Sequence, residues 1–297
     1  MQEVRQPAVA GSFYPADSKK LRHQIDQLLE EAHGAANGAS PDSADSAGVP
    51  HHDTTGPRAL IAPHAGYIYS GPTAASAFDT LTPVAAGIRR VVVIGPSHFV
   101  PFTGVALPEA TVFRTPFGDL ELDAEGVSAL RELPHIVTLA EPHRREHAVE
   151  VELPFLQTVL DDFSIVPLVT GAATPGQVAE ILEILWDDDT LVVVSSDLSH
   201  FHDYETARRL DDATAQIIVS GDAHQLGEGS ACGRLAIQGL KITSGRRDMD
   251  ISLLDLRNSG DTAGTPNEVV GYGAFRVGAS ANASSSQALA PARFATR

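Results

Sequence analysis

The chain has 297 residues, of which 43% are hydrophobic, and a formal net charge of −17. This charge argues against nucleic acid and anionic membranes as partners, because both bind basic patches. We find no stretch of about eighteen uncharged apolar residues and no basic and apolar leader, so we expect a cytoplasmic protein without a membrane span. A single cysteine, Cys232, excludes an internal disulfide, and a reducing compartment would keep it a free thiol.

The N-terminal part of the chain begins with an irregular, aromatic-bearing segment at residues 6–15. Asp17 can cap a helix that follows, because Leu21 and Ile25 lie at helical spacing. Residues 34–57 are rich in Gly, Ala, Ser, Asp and Pro and predict a disordered insertion loop.

Two short apolar runs, each followed by a histidine, come next. Residues 58–63 predict a strand that leads to His64, and Pro72 is expected to open the following helix. Residues 91–94 are four consecutive β-branched side chains, which is typical of a strand buried on both faces. This strand leads to His98.

The second half of the chain repeats the alternation of helices and strands. Residues 146–160 predict a helix that would carry His147 and Glu150 on one face, where they would line a cavity. A solvated acidic helix face is the alternative interpretation. The strand at residues 190–196 leads to His200. The later elements are helices at 203–220 and 232–240, strands at 250–256 and 271–277, and an Ala/Ser-rich tail.

Alternating strands and helices predict an α/β fold, with a mostly parallel central sheet flanked by helices. We expect one domain over residues 1–278 and a disordered tail over residues 279–297. Ligands of parallel sheets bind beyond the carboxyl ends of the strands. His64, His98 and His200 each follow such an end and are therefore expected to meet in one crevice.

His64, His98 and Cys232 form a candidate metal-binding set. Two imidazoles and one anionic ligand hold a divalent ion and leave positions open for a substrate. A thiolate favours softer ions such as Cu(I) or Zn(II) without excluding iron. The alternative for Cys232 is that it is only a small buried apolar side chain.

Asp197 and His200 are candidate catalytic residues. If the turn after the strand continues into a helix, the two side chains share a face, and His200 could act as a general acid or base oriented by Asp197. The alternative is that Asp197 or Ser199 caps the following helix.

Several motifs resemble those of the MEMO family, known in archaea and bacteria as AmmeMemoRadiSam system protein B. These motifs occur in order between Val4 and Val277, and they are APHAGY at 62–67, GPSH at 95–98, EHxxExxLP at 146–154, SSDLSH at 195–200 and ACGR at 231–234.

The resemblance implies a fold related to the class III extradiol (LigB-like) dioxygenases. His64 and His98 would match two metal ligands, Cys232 would stand where the dioxygenases use glutamate, and His200 would match an acid/base residue. Family members are associated with iron or copper and with redox chemistry. A thiolate donates more charge than a carboxylate and is easily oxidised, so ring-cleaving dioxygenation does not carry over with the fold.

We therefore expect a metal-binding protein with the redox or oxygenase-like chemistry of a non-haem oxidoreductase, which takes Fe(II) or Cu and a small-molecule or peptide ligand. Two alternatives stay open. One is a non-catalytic peptide- or protein-binding module that joins other AmmeMemoRadiSam proteins, and the other is a zinc hydrolase.

The surface charge allows a first prediction. The chain has 22 Asp and 16 Glu against 18 Arg and only 3 Lys, a balance typical of a halophilic surface but also of a GC-rich genome. If the surface is adapted to salt, we expect the melting temperature to rise between low and molar KCl, because salt screens the repulsion between the excess negative charges of the protein. An unchanged melting temperature would indicate that the Asp-rich and Lys-poor composition reflects the codon usage of a GC-rich genome.

Overall fold

The structure, a computed structural model, describes residues 3–38 and 56–280. The helices in these ranges are α1 (Ser18–Gly38), α2 (Tyr67–Phe78), α3 (Ala124–Leu130), α4 (Glu141–Arg144), α5 (Leu153–Val159), α6 (Pro175–Leu185), α7 (Tyr204–Ser220) and α8 (Arg234–Arg246). The strands are β1 (Val4–Arg5), β2 (Ala59–Ala62), β3 (Arg90–Pro96), β4 (Val105–Leu107), β5 (Val112–Thr115), β6 (Gly118–Glu121), β7 (Ile136–Thr138), β8 (Ser164–Thr170), β9 (Thr190–Ser195), β10 (His200–His202), β11 (Met249–Asn258) and β12 (Val269–Ala279). None of the described helices has the length and apolar character needed to cross a bilayer.

A large sheet forms the centre of the molecule, with strand order β10-β12-β2-β9-β3-β8-β4-β7 and β11 paired to β12. The four central strands, β2, β9, β3 and β8, run parallel to one another. Antiparallel pairing joins β12 to β2 on one side and β4 to β8 on the other. The predicted α/β fold with a central sheet flanked by helices is confirmed; the sheet is mixed, with its parallel part in the middle.

Side chains alternate between two hydrophobic cores along the central strands, as the pleat of a strand requires. In β3, Val92 and Ile94 face a core built with α3, α6, α7 and α8. Val91 and Val93 face the opposite core, to which α1, α2 and α5 contribute. Because both faces are covered, the central strands are apolar throughout, which explains the uninterrupted β-branched runs in the sequence.

Parallel pairing also brings the candidate site together. The central strands β2, β9 and β3 are adjacent, and their register pairs Ile61 with Val194 and Val194 with Ile94. Their carboxyl ends therefore lie side by side at one edge of the sheet. His64 and His98 follow two of these ends, and Asp197 follows the third.

Two expectations about α1 and α2 are wrong. The helix α2 begins at Tyr67 rather than at Pro72, and Pro72 lies inside it. The Gly66 carbonyl accepts the Tyr69 and Ser70 N–H groups and so starts the helix earlier.

Residues 34–38, expected in the insertion loop, form the end of α1. The remaining residues of that loop, 39–55, and residues 281–297 of the expected tail lie outside the described residues.

The predicted helix over residues 146–160 is also wrong in its first part. His147 precedes a 3-10 turn at Glu150–Glu152, and the α-helix α5 starts only at Leu153. Tertiary contacts override the helical pattern here, because the Glu146 carboxylate accepts the backbone N–H groups of His98, His147 and Ala148. His147 and Glu150 therefore do not share a helix face.

The turn after β9 does not continue into a helix either. Residues 196–199 are irregular, and His200 opens the short strand β10. The following helix, α7, is capped by Asp203, whose side chain accepts the Thr206 N–H, and not by Asp197 or Ser199. The proposed common helix face of Asp197 and His200 therefore does not exist.

Asp123 supports a stability prediction. Its carboxylate accepts the Gly126 N–H at the start of α3 and the Ser164 hydroxyl, and lies 3.2 Å from the Arg90 Nε. Burial alone would raise its pKa, but these contacts hold the pKa of Asp123 below its usual range. Its stabilising effect is thus present above the unfolded pKa of about 3.9 and is lost as pH falls through the lower folded pKa.

We expect Asp123→Ala to lower the free energy of unfolding by about 1–2 kcal/mol at pH 7, because the helix cap is lost. The difference from wild type should shrink as the pH falls below about 4. Urea denaturation at several pH values measures both effects. Asp119→Ala, which removes only an exposed pair with Arg114, is the control and should destabilise less. A pH-independent difference would contradict the assigned role of the Asp123 charge.

Candidate metal centre

Three imidazoles face one another at the carboxyl edge of the central strands. His64, His98 and His147 each offer one nitrogen atom, and these atoms all lie within 4.8 Å of one another. The His98 and His147 rings stack with centroids 4.6 Å apart, and the His64 ring meets both at nearly right angles. His64 is buried, His147 is half-buried and His98 is exposed.

The His64 ring is oriented by a buried hydrogen-bond network. Its Nδ1 lies 2.7 Å from the Ser195 Oγ, which is also 2.6 Å from the Ala148 carbonyl and 2.8 Å from the Glu152 Oε1. The carbonyl can only accept, so it takes the single hydroxyl proton. His64 Nδ1–H then donates to Ser195, which leaves the lone pair on Nε2 free to bind a metal.

Glu152 completes this network as a neutral carboxylic acid. Burial raises the pKa of Glu152 well above its usual range. A protonated Oε1 can donate to the second lone pair of the Ser195 hydroxyl. The other oxygen, Oε2, is buried without a hydrogen-bond partner among the described residues, which an uncharged group tolerates better than a carboxylate.

Glu146 orients the other two rings. Its Oε1 lies 2.8 Å from the His98 Nδ1 and 3.3 Å from the His147 Nδ1. Burial alone would raise the pKa of Glu146, but hydrogen bonds from His98 lower it to about 2, so the group is a carboxylate. A carboxylate that holds the Nδ1 of a histidine leaves Nε2 as the metal-binding atom.

Two of the imidazoles, those of His64 and His147, are uncharged at neutral pH, as metal ligands must be. Burial, together with the neighbouring His98, lowers the pKa of His64 to about 3. Burial and the neighbouring His64 lower the pKa of His147 to about 4. Neutral rings with free lone pairs and carboxylate or hydroxyl partners are the donor set that a divalent transition metal requires.

Cys232 lies beside His64. Its Sγ is 3.3 Å from the His64 Nε2 and accepts the Asp197 N–H at 3.2 Å. Burial, with the nearby Asp197, raises the pKa of the thiol to about 12. The thiol is therefore protonated at neutral pH, and binding of a metal at this sulfur would release that proton.

Two glycines permit this close arrangement. A Cβ atom at Gly233 would lie 2.6 Å from the Ser196 Cβ, so only glycine lets the start of α8 bring Cys232 against the end of β9. A Cβ atom at Gly95 would lie 2.8 Å from the Ala148 Cβ, next to His147. Larger side chains at either position would push a candidate ligand outwards.

Asp197 and His200 lie close to this group in different ways. The Asp197 Oδ1 accepts the His64 backbone N–H at 2.8 Å and so fixes the main chain at that ligand. Burial raises the pKa of Asp197, and His200 and His147 oppose that shift. His200 is half-buried at the start of β10, and its proximity contributes to the lowered pKa of His64. No hydrogen bond joins Asp197 to His200 among the described residues.

Glu150 does not face the histidines. Its carboxylate is fully buried and binds the Arg5 guanidinium, the Ala8 and Val9 N–H groups and the Tyr14 hydroxyl. All these partners belong to the N-terminal segment. Glu150 therefore anchors that segment, and the expectation that it lines a ligand cavity is not supported by its contacts.

Comparison with known proteins places the whole chain in one family. Residues 5–276 match the family described as Memo-like protein. The chain is 32% identical to a "MEMO1 family protein" of Metallosphaera sedula over 289 residues, which cover 92% of this chain and 98% of the relative. It is 34% identical to another of Archaeoglobus fulgidus over 293 residues, covering 92% and 100%.

The chain belongs to the Memo-like family. The resemblance seen in its motifs is thereby confirmed. In this Memo-like protein, the EHxxE motif supplies three residues with different roles: Glu146 orients rings, His147 joins the imidazole group and Glu150 anchors the N-terminal segment.

Sequence reasoning missed two features of the centre. His147 was expected in a cavity wall, but its ring joins His64 and His98. The adjacent Glu146, a carboxylate next to a histidine, was the signal available for this role. Ser195 and Glu152 were not singled out at all, because a buried strand residue and one glutamate among many carry no local signal.

Glu146 and Glu150 provide a matched pair of test positions. We expect Glu146→Gln to weaken metal binding by about 10- to 100-fold, because an amide cannot hold both the His98 ring and the three backbone N–H groups. We expect Glu150→Gln to lower the free energy of unfolding by about 3–5 kcal/mol, because Arg5 then lies buried without its charge partner.

Metal titration and urea denaturation of both variants measure the two effects. Folded Glu150→Gln protein should bind metal as the wild type does. Equal loss of metal affinity in both variants would contradict the separate roles assigned to the two carboxyl groups.

Proposed function

We propose that this Memo-like protein binds a redox-active metal ion, Fe(II) or copper, and performs redox or oxygenase-like chemistry there. His64, His98 and Cys232 would hold the ion, with His147 as a further imidazole donor. The observation that carries the proposal is the group of three imidazoles, each of which offers a nitrogen atom within 4.8 Å of the others. Their Nδ1 atoms face Ser195 and Glu146, so their metal-binding atoms are directed to the common centre.

The nature of the metal follows from the donors. Imidazole suits iron, copper and zinc, and a thiolate at Cys232 shifts the preference to softer or redox-active ions. A bound iron or copper ion would supply one-electron chemistry and open positions for a substrate. Zn(II) fits the same donors and would support a hydrolase instead.

The remaining residues would position groups and move protons. Asp197 holds the His64 backbone through its N–H and so keeps that ring at the centre. His200 is half-buried, which suits it to exchange protons between a ligand and water. The dependence on a reduced thiol favours the cytoplasm as the compartment.

A second candidate function is a non-catalytic module that binds a peptide or a partner protein, such as another AmmeMemoRadiSam component. Exposed apolar side chains that follow the ends of the central strands favour it. Phe201 is 75% exposed and has a backbone φ of 61°, and Phe99 is 50% exposed. A bulky residue held in the left-handed region and exposed to solvent is typical of a functional surface.

Metal analysis of protein purified without oxygen tests the first proposal. We expect one equivalent of iron or copper in wild type, loss of the metal in His64→Ala, and a lower metal content in Cys232→Ala. His224→Ala, which changes an exposed histidine outside the centre, should keep its metal. Absence of metal from wild type would overturn the proposal, and unchanged metal in Cys232→Ala would remove the thiol from the ligand set.

Oxygen consumption separates the candidate functions. Redox chemistry predicts O₂ uptake by the metal-loaded protein with a phenolic reductant, and loss of this uptake in His64→Ala. Bound Zn(II) with activity that survives without oxygen would favour the hydrolase. Recovery of a stoichiometric partner from native lysate, without O₂ uptake, would favour the binding module.

A further inference from the structure

A cavity of about 420 Å³ opens next to Cys232, between the ends of β3 and β8 and the start of α8. Its volume is within the range of small-molecule sites. Ser97, Thr170, Cys232 and Arg234 contribute polar atoms to the wall, and Val100, Pro101, Phe102 and Leu235 contribute apolar surface. Ser97 directly precedes His98, so the cavity adjoins the candidate metal centre at two of its residues.

We propose that this cavity binds a small organic carboxylate and that Arg234 is its anchor. The inference rests on the proposed function, because it names the class of ligand that would lie beside Cys232. It depends on three observations: an arginine without an acidic partner, apolar side chains in the lining of the same cavity, and a thiol of the candidate centre in that lining.

Arg234 has no acidic partner within ion-pair distance among the described residues. Arg5, Arg90 and Arg114 each have an Asp or Glu within ion-pair distance. Arg234 is half-buried, and no described carboxylate lies within 4.0 Å of it; its hydrogen bond goes to the Gln238 Oε1 at 3.5 Å. A guanidinium presents five donors in a planar fork that matches a carboxylate, so this group can take an anion from a ligand.

The rest of the wall limits what the ligand is. The Ser97 hydroxyl donates to the Val100 carbonyl and the Thr170 hydroxyl to the Gly95 carbonyl, so neither proton is available to a second anion. Phe102 and Leu235 are apolar. One cation and an apolar surface favour a monocarboxylate with a hydrocarbon or aromatic body over a multiply charged anion such as a phosphate ester.

Glu228 supplies an internal control. It is exposed and lines the same cavity. Its negative charge opposes a ligand carboxylate, and solvent and salt screen that effect. Removing this charge should therefore strengthen binding, whereas removing the charge of Arg234 should weaken it.

Titration of the full-length protein with phenylacetate and with its uncharged amide, followed by ligand-observed NMR, tests the proposal. We expect phenylacetate to bind at least about tenfold more tightly than phenylacetamide, because a charge-assisted hydrogen bond is made only by the acid. Arg234→Gln should remove that preference. Glu228→Gln should tighten phenylacetate binding by about threefold. Arg208→Gln, which changes an exposed arginine of α7, should have no effect.

Arg234→Lys keeps the proposal testable if the glutamine variant does not fold. It retains the charge and loses the planar fork, so its preference for the acid should be intermediate. Equal binding of the two probes to wild type, failure of phenylacetate to bind, or a preference that survives in Arg234→Gln would each overturn the proposal.

His64→Ala distinguishes this inference from the proposed function. Arg234 is not in the candidate ligand set, so the preference for phenylacetate should persist in that variant although its metal is lost. Loss of the preference in His64→Ala would place the carboxylate on the metal and overturn the assignment to Arg234. Metal bound to wild type without any preference for the acid would defeat this inference alone.

Discussion

Parallel pairing of β2, β9 and β3 is the constraint on which the candidate centre depends. Each strand ends at the same edge of the sheet, and the register aligns Ile61, Val194 and Ile94 across the three strands. Chain segments that are far apart in the sequence therefore deliver their next side chains to one place. The two cores that cover the sheet hold these strands in position, so the site is supported by the most deeply buried part of the molecule.

Three glutamates close together in the chain show how strongly surroundings determine chemistry. Glu146 is held as a carboxylate by hydrogen bonds from His98 and from backbone N–H groups. Glu152, without such partners, is kept neutral by burial. Glu150 is paired with Arg5. Glu146 orients the His98 and His147 rings as a hydrogen-bond acceptor, and Glu152 orients the His64 ring through the Ser195 hydroxyl. Glu150 supports the loop that bears His147.

The sequence predicted the strand ends and the histidines that follow them, because both signals are local. Four β-branched residues before Gly-Pro indicate a buried strand, and a histidine after it is visible at once. The path of residues 146–152 could not be predicted, since it depends on the Glu146 carboxylate accepting N–H groups from a distant loop. The anchoring role of Glu150 was equally hidden, because its partners Arg5 and Tyr14 lie about 140 residues away in the sequence.

The contacts of Arg5 have a consequence for how the protein is assembled. Its guanidinium reaches the His143 and Glu146 carbonyls as well as Glu150, and Val4 and Arg5 pair with β5. These partners lie at residues 112–113 and 143–150, so the segment at residues 4–5 is fully held only when both of these later parts of the chain are folded against it. The Arg5 side chain then ties the loop of His147 in place, so a change at residues 4–5 also alters the support of the His147 ring.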